Sequence, residues 1–286
     1  MRCCGTVARD MLRTGMRRRR IAAAIAVVLP VLLAAAIAGC ASSTSSGSAS
    51  GSGSSSASGK PDLVVSAAAS LKAAFTNYAK QFSAASPRFS FAGSDVLAAQ
   101  IEQGLKPDVF ASANTKLPDM LYAKGMIEKP VVFAANKLVL AVAAGSTKVR
   151  SLADVEKPGV TLAIGSATVP IGTYTRTVLA KLGPALSAKI MANVRTEEPD
   201  VSGIVGKLTQ GAVDAGFTYI TDVKAAGGKL TAIALPASLQ PVAAYGVAVV
   251  TGAAHPTQAQ QFITGLLNGQ GRTDLLQAGF LPPPTQ

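Results

Sequence analysis

Cysteine is almost missing from this sequence of 286 residues, and none of its three cysteines lies beyond position 40. The long remainder of the chain therefore has no disulfide bond, no cysteine-based metal site and no thiol nucleophile. Such a domain must rely on its hydrophobic core for stability, and a chain of this length is long enough to bury one.

Histidine is rarer still, with His255 as its single occurrence. A lone histidine in a loop is more typical of a surface residue than of a metal ligand or a general base. The usual zinc sites and Ser-His-Asp triads need more His or Cys residues than this chain has. The Gly-x-Ser-x-Gly motif of α/β-hydrolases is also absent. We therefore predict that the protein is not an enzyme and has no cofactor or resident metal; an envelope hydrolase with serine nucleophiles is the alternative.

Long basic runs are absent after the N-terminal segment. The formal net charge is +12, but residues 1–40 contain seven arginines and one aspartate, which supply half of it. The other lysines and arginines are scattered along the chain. Because nucleic-acid binding needs a clustered basic surface, we expect no nucleic-acid partner.

The N-terminal arginines precede an apolar stretch. Arg17 to Arg20 are followed by apolar residues 21–38, and small residues precede Cys40. A basic region, an apolar region and a small-residue cleavage site describe a secretory signal peptide, so we assign residues 1–40 to a signal. The position of Cys40 resembles the lipobox of bacterial lipoproteins, which implies cleavage before this residue and lipid attachment to its thiol. An uncleaved transmembrane anchor is the alternative, since the apolar run is about long enough to span a bilayer.

Past the signal, the chain divides into a tether and a folded region. Residues 41–60 are almost all Ser, Gly and Ala, which is typical of a flexible linker. Beyond them, short apolar segments alternate with segments of helical periodicity, and this pattern predicts mostly parallel sheets covered by helices. We predict that residues 61–142 form the first part of lobe 1, that residues 143–240 form lobe 2, and that residues 241–286 return to lobe 1. The predicted strands are 63–67, 88–92, 108–112, 137–143, 160–165, 213–219, 230–235 and 242–250.

Two helix starts that follow predicted strands each carry a serine, Ser70 and Ser94. A helix start exposes unpaired backbone N–H groups and the positive end of the helix dipole, and a serine adds a hydroxyl donor. For either serine alone, plain capping of the helix is the simpler interpretation. Two such ends facing each other would bind a small oxyanion without any Lys or Arg.

Three further candidate positions lie just past strands of the second lobe. They are Ile171 in the turn from Thr168 to Gly172, the helix start at Val201, and the strand end at Tyr219. The turn could simply shape a tight loop, and Tyr219 could be a half-buried strand aromatic. Ligands of open α/β sheets bind at the carboxyl ends of strands, so we expect these residues and the two serines to share one cleft.

Taken together, several short segments resemble those of the molybdate-binding proteins of ABC importers, members of the periplasmic binding protein superfamily. The resemblance runs from about Asp62 to Phe280 and implies that three hydroxyls and two backbone N–H groups bind the anion. The implied hydroxyl donors are those of Ser70, Ser94 and Tyr219. The implied N–H donors are those of Ile171 and Val201. The similar segments are Ala67-Ala-Ala-Ser70-Leu71, Phe91-Ala-Gly-Ser94, Lys106-Pro-Asp108-Val-Phe110-Ala-Ser112, Val169-Pro170-Ile171-Gly172, Glu198-Pro-Asp200-Val201 and Gly216-Phe-Thr-Tyr219.

The resemblance also implies a fold and a function. The fold is an α/β, two-lobed periplasmic binding protein fold of the class II type, with the ligand in the interlobe cleft. The function is that of an exported, monomeric lipoprotein, anchored through Cys40 at the outer face of the cytoplasmic membrane. It would capture molybdate, and also tungstate, and deliver the anion to an ABC permease. A receptor of the same fold for another oxyanion, such as sulfate or phosphate, is the alternative.

One position departs from the family pattern. Asp95 follows Ser94, where the family more often has a small polar residue. Because a carboxylate would repel a bound anion, we expect the Asp95 side chain to point outward into solvent.

Overall fold

The computed structural model describes residues 59–284, which contain ten strands and nine α-helices. The predicted signal, the predicted lipid-attachment site at Cys40 and most of the predicted tether lie outside the described residues. The strands are β1 (Asp62–Ala68), β2 (Ser86–Ala92), β3 (Val109–Ser112), β4 (Val131–Asn136), β5 (Leu138–Ala143), β6 (Leu162–Gly165), β7 (Val194–Glu198), β8 (Ala215–Tyr219), β9 (Leu230–Ala234) and β10 (Ala243–Val249). The helices are α1 (Lys72–Gln81), α2 (Ser94–Glu102), α3 (Lys116–Ala123), α4 (Pro170–Lys181), α5 (Pro184–Ala192), α6 (Val201–Thr209), α7 (Ile220–Ala225), α8 (Pro256–Asn268) and α9 (Gln270–Ala278).

The strands form two separate five-stranded sheets, one in each lobe. Their orders are β2-β1-β3-β10-β4 and β7-β6-β8-β5-β9. In the first sheet β1 is parallel to β2 and β3, whereas β10 is antiparallel to β3 and β4. In the second sheet β6 is parallel to β7 and β8, whereas β5 is antiparallel to β8 and β9. Two of the four strand pairs in each sheet are therefore antiparallel, so the sheets are not mostly parallel as predicted. The antiparallel strand is the one that enters from the other lobe, β10 in the first sheet and β5 in the second.

The chain first crosses between the lobes at Lys137. This residue separates β4, an edge strand of the first sheet, from β5, which lies inside the second sheet. The predicted first part of lobe 1, residues 61–142, therefore ends one strand too late, because β5 belongs to the second sheet. The apolar run through residues 131–143 contains two consecutive strands, and nothing in its composition shows that they belong to different sheets. The chain returns to the first sheet through β10.

Helices cover both faces of the first sheet. On one face α1, α8 and α9 pack together, with the rings of Phe75 and Phe262 in an edge-to-face contact at 5.5 Å between centroids. On the other face α2 and α3 enclose Phe110 together with Leu97 and Leu121. Phe110 reaches this second cluster because successive side chains of β3 point to opposite faces. These two layers hold the starts of α1 and α2 in fixed positions above the sheet.

The sequence pattern does not predict four elements of the structure, namely β4, α5, β7 and α7. The strands β4 and β7 are edge strands of their sheets. The side chains of β7 alternate between exposed and half-buried, and the segment includes Arg195, Glu197 and Glu198. The edge strand β7 buries little apolar surface, so its sequence lacks the run that identifies a central strand. The edge strand β4 is apolar, but Lys137 alone separates it from β5, so the sequence does not mark it as a strand of its own.

Candidate functional site

A small pocket lies between the lobes, at the carboxyl ends of strands from both sheets. Its volume is about 20 Å³. Pockets for organic ligands have roughly 300–1,000 Å³, and one water molecule needs roughly 10–15 Å³. The pocket therefore suits a compact ligand of a few atoms. All five predicted donor residues line it, and the complete lining is Ala68, Ala69, Ser70, Ala92, Gly93, Ser94, Ala113, Val169, Pro170, Ile171, Asp200, Val201 and Tyr219.

The two serines of the first lobe do not cap their helices. Ser70 lies in a 3-10 turn before α1, and its Oγ is 2.9 Å from the hydroxyl oxygen of Tyr245. Ser94 is the first residue of α2, and its Oγ accepts a hydrogen bond of 3.0 Å from the backbone N–H of Ala113. Neither helix start has a side-chain cap. The simpler interpretation of the two serines as N-caps is therefore wrong.

Ile171 lies at the start of α4, where two glycines allow a close contact between this helix and the end of β6. A Cβ atom on Gly172 would lie 1.8 Å from the backbone oxygen of Ser166, and one on Gly165 would lie 2.7 Å from the Gly172 nitrogen. The helix begins with Pro170, which has no N–H, so the first N–H of the helix is that of Ile171. Ile171 lines the pocket, and no backbone partner for its N–H is found among the described residues.

Val201 is the first residue of α6, and its neighbour Asp200 is the N-cap. The Oδ1 atom of Asp200 accepts hydrogen bonds from the N–H groups of Ser202, at 2.7 Å, and Gly203, at 3.3 Å. These bonds leave the Val201 N–H without a partner among the described residues. Val201 lines the pocket, and a helix start with a free N–H group beside a pocket is a typical anion contact.

Tyr219 ends β8 and contributes a hydroxyl to the pocket. The residue is 1% exposed, and its hydroxyl oxygen has no hydrogen-bond partner within residues 59–284. Burial raises the pKa of Tyr219 well above 10, and the nearby Tyr245 and Tyr174 hydroxyls add to this shift. The hydroxyl therefore keeps its proton at neutral pH and can donate it to a ligand. Asp222 fixes the strand end, because its Oδ2 accepts a 3.0 Å hydrogen bond from the Tyr219 N–H.

Three residues that support the site are not predicted from the sequence. Tyr245 lies in the middle of β10 and bonds to Ser70, and Asn136 at the end of β4 donates to Tyr245 at 3.3 Å. Ala113 lies just past β3 and holds Ser94 through its N–H. The position of Ala113 after a strand is a signal that could have identified it. For Tyr245, which lies inside a continuous apolar strand, the sequence has no such signal.

Among the residues that the structure describes, none with a cationic side chain lines the pocket, and Asp200 is the only charged one that does. The Asp200 carboxylate is engaged with the start of α6. Favourable charge at the site thus comes from the helix starts and from hydroxyl groups rather than from Lys or Arg. Residues 59–284 also contain no group of three or more His, Cys, Asp or Glu side chains that could hold a metal ion.

Asp95 does not point freely into solvent, which corrects the expectation from the sequence. Its Oδ2 accepts a 2.6 Å hydrogen bond from the hydroxyl of Thr168 in the other lobe. Its Oδ1 is buried and has no partner among the described residues. The side chain does not line the small pocket but a neighbouring groove between the lobes.

Further contacts join the lobes around the pocket. The hydroxyl of Tyr174 in α4 donates a 3.3 Å hydrogen bond to the backbone oxygen of Ala113, and Asn136 donates a 2.9 Å bond to the hydroxyl of Thr221 in α7. The structure is therefore a closed arrangement of the two lobes.

Comparison with known proteins gives consistent matches over the described region. Residues 63–281 match the family of bacterial extracellular solute-binding proteins. The molybdate-binding protein ModA of Mycobacterium tuberculosis is 37% identical over 231 residues, which cover 79% of this chain and 86% of that protein. ModA of Haemophilus influenzae is 30% identical over 232 residues, which cover 76% of this chain and 89% of that protein.

A solved structure has the same fold. The periplasmic molybdate-binding protein of Azotobacter vinelandii superimposes with a TM-score of 0.71 at 23% identity. The match covers 78% of this chain and 100% of that one.

Proposed function

The chain belongs to the family of bacterial extracellular solute-binding proteins, and we propose that it captures molybdate outside the cytoplasm and delivers it to an ABC permease. This membership confirms both the family and the two-lobed α/β fold predicted from the sequence. Relatives that cover most of the chain are named as molybdate-binding proteins, and the pocket has the size and the donors that a small oxyanion needs.

The observation that carries the proposal is the buried hydroxyl of Tyr219. It has no partner among the described residues and borders the same small pocket as two serine hydroxyls and two helix starts. An unpaired buried hydroxyl costs about 1–3 kcal/mol, and a bound anion would remove that cost. The proposed ligand contacts are the hydroxyls of Ser70, Ser94 and Tyr219 and the N–H groups of Ile171 and Val201.

Molybdate suits these donors because it is a tetrahedral dianion without a proton at neutral pH. Hydroxyl and N–H donors form charge-assisted hydrogen bonds with such an ion, and the fixed helix dipoles replace a counter-charge. Tungstate has the same charge and shape, so the same contacts would bind it. Sulfate is smaller and phosphate keeps a proton, and both remain the alternative ligands that a competition titration distinguishes.

Capture would close the two lobes, since the proposed donors come from both. Ser70 and Ser94 belong to the first lobe, whereas Ile171, Val201 and Tyr219 belong to the second. Contacts such as the one between Asp95 and Thr168 form only when the lobes meet. The closed form would then be the one that the permease recognises.

The protein would act as a monomer at the outer face of the cytoplasmic membrane, attached through a lipid on Cys40. Within the described range, none of the helices has both the length and the apolar character needed to cross a membrane. Metabolic labelling with a fatty-acid analogue tests the anchor, and a Cys40→Ala variant should lose the label.

Calorimetric titration with molybdate tests the function. The substitutions Ser94→Ala and Tyr219→Phe each remove one hydrogen bond to a charged ligand, which is worth about 1.5–3 kcal/mol or about 10- to 150-fold in affinity. Tyr122→Phe is the matched control, because Tyr122 is 48% exposed on α3 and does not line the pocket. Wild-type protein that binds sulfate or phosphate in preference to molybdate, or pocket variants that bind as tightly as the control, would contradict the proposal.

A further inference from the structure

Both serine hydroxyls of the pocket are close to a hydrogen-bonding group of the protein. For Ser94 the direction of this bond is certain, because a backbone N–H such as that of Ala113 can only donate. The Ser94 oxygen is therefore an acceptor, and its own proton is free for a ligand. For Ser70 the partner is the Tyr245 hydroxyl, and either oxygen of this 2.9 Å pair could carry the shared proton.

Asn136 decides the direction of the Ser70 bond. Its Oδ1 accepts a 2.9 Å hydrogen bond from the backbone N–H of Lys137, which fixes the orientation of the amide. The Nδ2 group therefore faces Tyr245, at 3.3 Å, and Thr221, at 2.9 Å. An amide nitrogen only donates, so the Tyr245 oxygen is an acceptor in its contact with Asn136.

The Tyr245 hydroxyl proton then needs an acceptor other than Asn136. Tyr245 is completely buried, and Ser70 is the acceptor that meets hydrogen-bonding geometry with its hydroxyl among residues 59–284. The Tyr219 hydroxyl lies nearby but forms no hydrogen bond of acceptable geometry with it. A reversed bond would leave the Tyr245 O–H unpaired inside the protein, at a cost of about one hydrogen bond. It would also direct the Ser70 proton away from the pocket. Burial raises the pKa of Tyr245, with Ser70 and Asn136 acting in the opposite sense, so the hydroxyl stays protonated and able to donate.

We propose that Asn136 and Tyr245 form a relay that turns the Ser70 hydroxyl into an obligate donor toward the pocket. The proposal rests on the proposed capture of an oxyanion by this pocket. Asn136 and Tyr245 are positioning residues, since neither lines the pocket and both act through Ser70. Asn136 also donates to Thr221 of the second lobe, beside the crossover at Lys137, where the Lys137 backbone oxygen accepts a bond from the Ile220 N–H.

The relay has a consequence for selectivity. With Tyr245 bonded to Ser70 and Ala113 bonded to Ser94, each serine oxygen already accepts a hydrogen bond from the protein. A fully ionised oxyanion accepts a hydrogen bond from each serine hydroxyl, and it has no proton of its own that needs an acceptor. Hydrogen phosphate carries a proton that needs an acceptor, and the relay leaves neither serine oxygen well placed to provide one. The relay thus selects for ligands that have lost all their protons.

The test is a double-mutant cycle with Tyr245→Phe and Ser70→Ala, measured by calorimetry with molybdate and with phosphate at neutral pH. Tyr245→Phe should weaken molybdate binding about tenfold, the factor that corresponds to about 1.4 kcal/mol. In the Ser70→Ala background the same substitution should have less than about a twofold effect, because the relay acts only through Ser70. The ratio of molybdate to phosphate affinity should fall in Tyr245→Phe, since the Ser70 oxygen is then free to accept.

Tyr78→Phe is the matched control. The Tyr78 hydroxyl is also buried in the first lobe and donates to a backbone oxygen, that of Phe262 at 3.3 Å, but it has no link to the pocket. This substitution should leave both the affinity and the selectivity unchanged. Should Tyr245→Phe fail to fold, Asn136→Ala removes the other residue of the relay, and Thr221→Val measures separately the loss of the bond between Asn136 and Thr221. The loss that exceeds that of Thr221→Val should again depend on Ser70.

The outcomes separate the relay from the proposed function. Wild-type protein that binds none of the oxyanions overturns both. Tight molybdate binding by wild type, together with a Tyr245→Phe effect that is absent or simply adds to that of Ser70→Ala, overturns the relay alone. An unchanged ratio of molybdate to phosphate affinity in Tyr245→Phe also overturns it.

Discussion

A single methyl group at Gly93 should interfere with closure of the lobes. Gly93 precedes α2 in the first lobe, and its φ of −59° and ψ of 136° are accessible to any residue. The glycine is therefore not required by its backbone conformation. It is required by space, because a Cβ atom there would lie 2.4 Å from the backbone oxygen of Pro199 in the second lobe.

The size of the effect follows from this distance. A carbon and an oxygen in favourable contact are about 3.3–3.6 Å apart, so the methyl group of Gly93→Ala would be about 1 Å too close. The Pro199 oxygen belongs to the backbone and cannot rotate away, unlike the Asp95 side chain, whose Oδ1 would be 2.8 Å from the new atom. Overpacking of this kind costs about 1–3 kcal/mol. The two groups belong to different lobes, so the cost falls on the closed form and corresponds to about 5- to 150-fold in affinity for the anion.

Calorimetry with molybdate measures this loss, and Gly206→Ala is the matched control. Gly206 lies within α6, and a Cβ atom there would have no neighbour within 4 Å. Its replacement should leave affinity unchanged and raise the free energy of unfolding by about 0.5–1 kcal/mol, the gain for removing glycine from a helix. If Gly93→Ala bound molybdate as tightly as wild type, the contact between Gly93 and Pro199 would not belong to the ligand-bound state.

Three further substitutions test other parts of the structure. Thr168→Val removes the hydrogen bond to Asp95 between the lobes and should lower molybdate affinity about 2- to 10-fold in calorimetry without lowering the melting temperature of the ligand-free protein. Asp108→Asn weakens a buried carboxylate that accepts two backbone N–H bonds, so urea denaturation should show a loss of about 1.5–3 kcal/mol with unchanged affinity. Burial, with a smaller contribution from Asp200, raises the pKa of Asp222 to about 7, against the lowering effect of its bond from the Tyr219 N–H. The folded state then holds this proton more tightly than the unfolded state, so stability should fall as the pH rises from about 4 to about 7. Asp222→Asn should flatten that fall in melting curves recorded between these pH values, and an unchanged slope would contradict the assignment.

The sequence predicted the parts of the site that follow directly from local chain order. Ser70 and Ser94 begin helical segments after strands, and Tyr219 ends a strand, so each position can be recognised from a few neighbouring residues. The structure brings all of them to one pocket, together with Ile171 and Val201. Their roles as ligand contacts remain predictions that the binding measurements test.

The sequence could not predict contacts between distant segments. Tyr245 reaches Ser70 across 175 positions of the chain, and Asn136 reaches Tyr245 across 109. Inside an apolar strand such as β10, a tyrosine with a functional hydroxyl has the same pattern as one that only fills the core. The sequence pattern also cannot predict that β5 belongs to the second sheet, since its pairing with β8 and β9 depends on residues far along the chain.

For Asp95, such a distant contact changes the effect on ligand affinity that the sequence alone predicts. Taken alone, a carboxylate about 7 Å from a dianion would cost roughly 1–5 kcal/mol for effective dielectric constants of 80 down to 20. In the structure its partner is the Thr168 hydroxyl, 73 positions away in the other lobe. Asp95 also lies in the first turn of α2, where a negative charge stabilises the helix whether the lobes are open or closed. The bond to Thr168 exists only when the lobes meet, so it favours the same closed form that the repulsion opposes. The effect of Asp95 on ligand affinity is therefore the balance of these two contributions, and Thr168→Val removes the favourable one while leaving the charge in place.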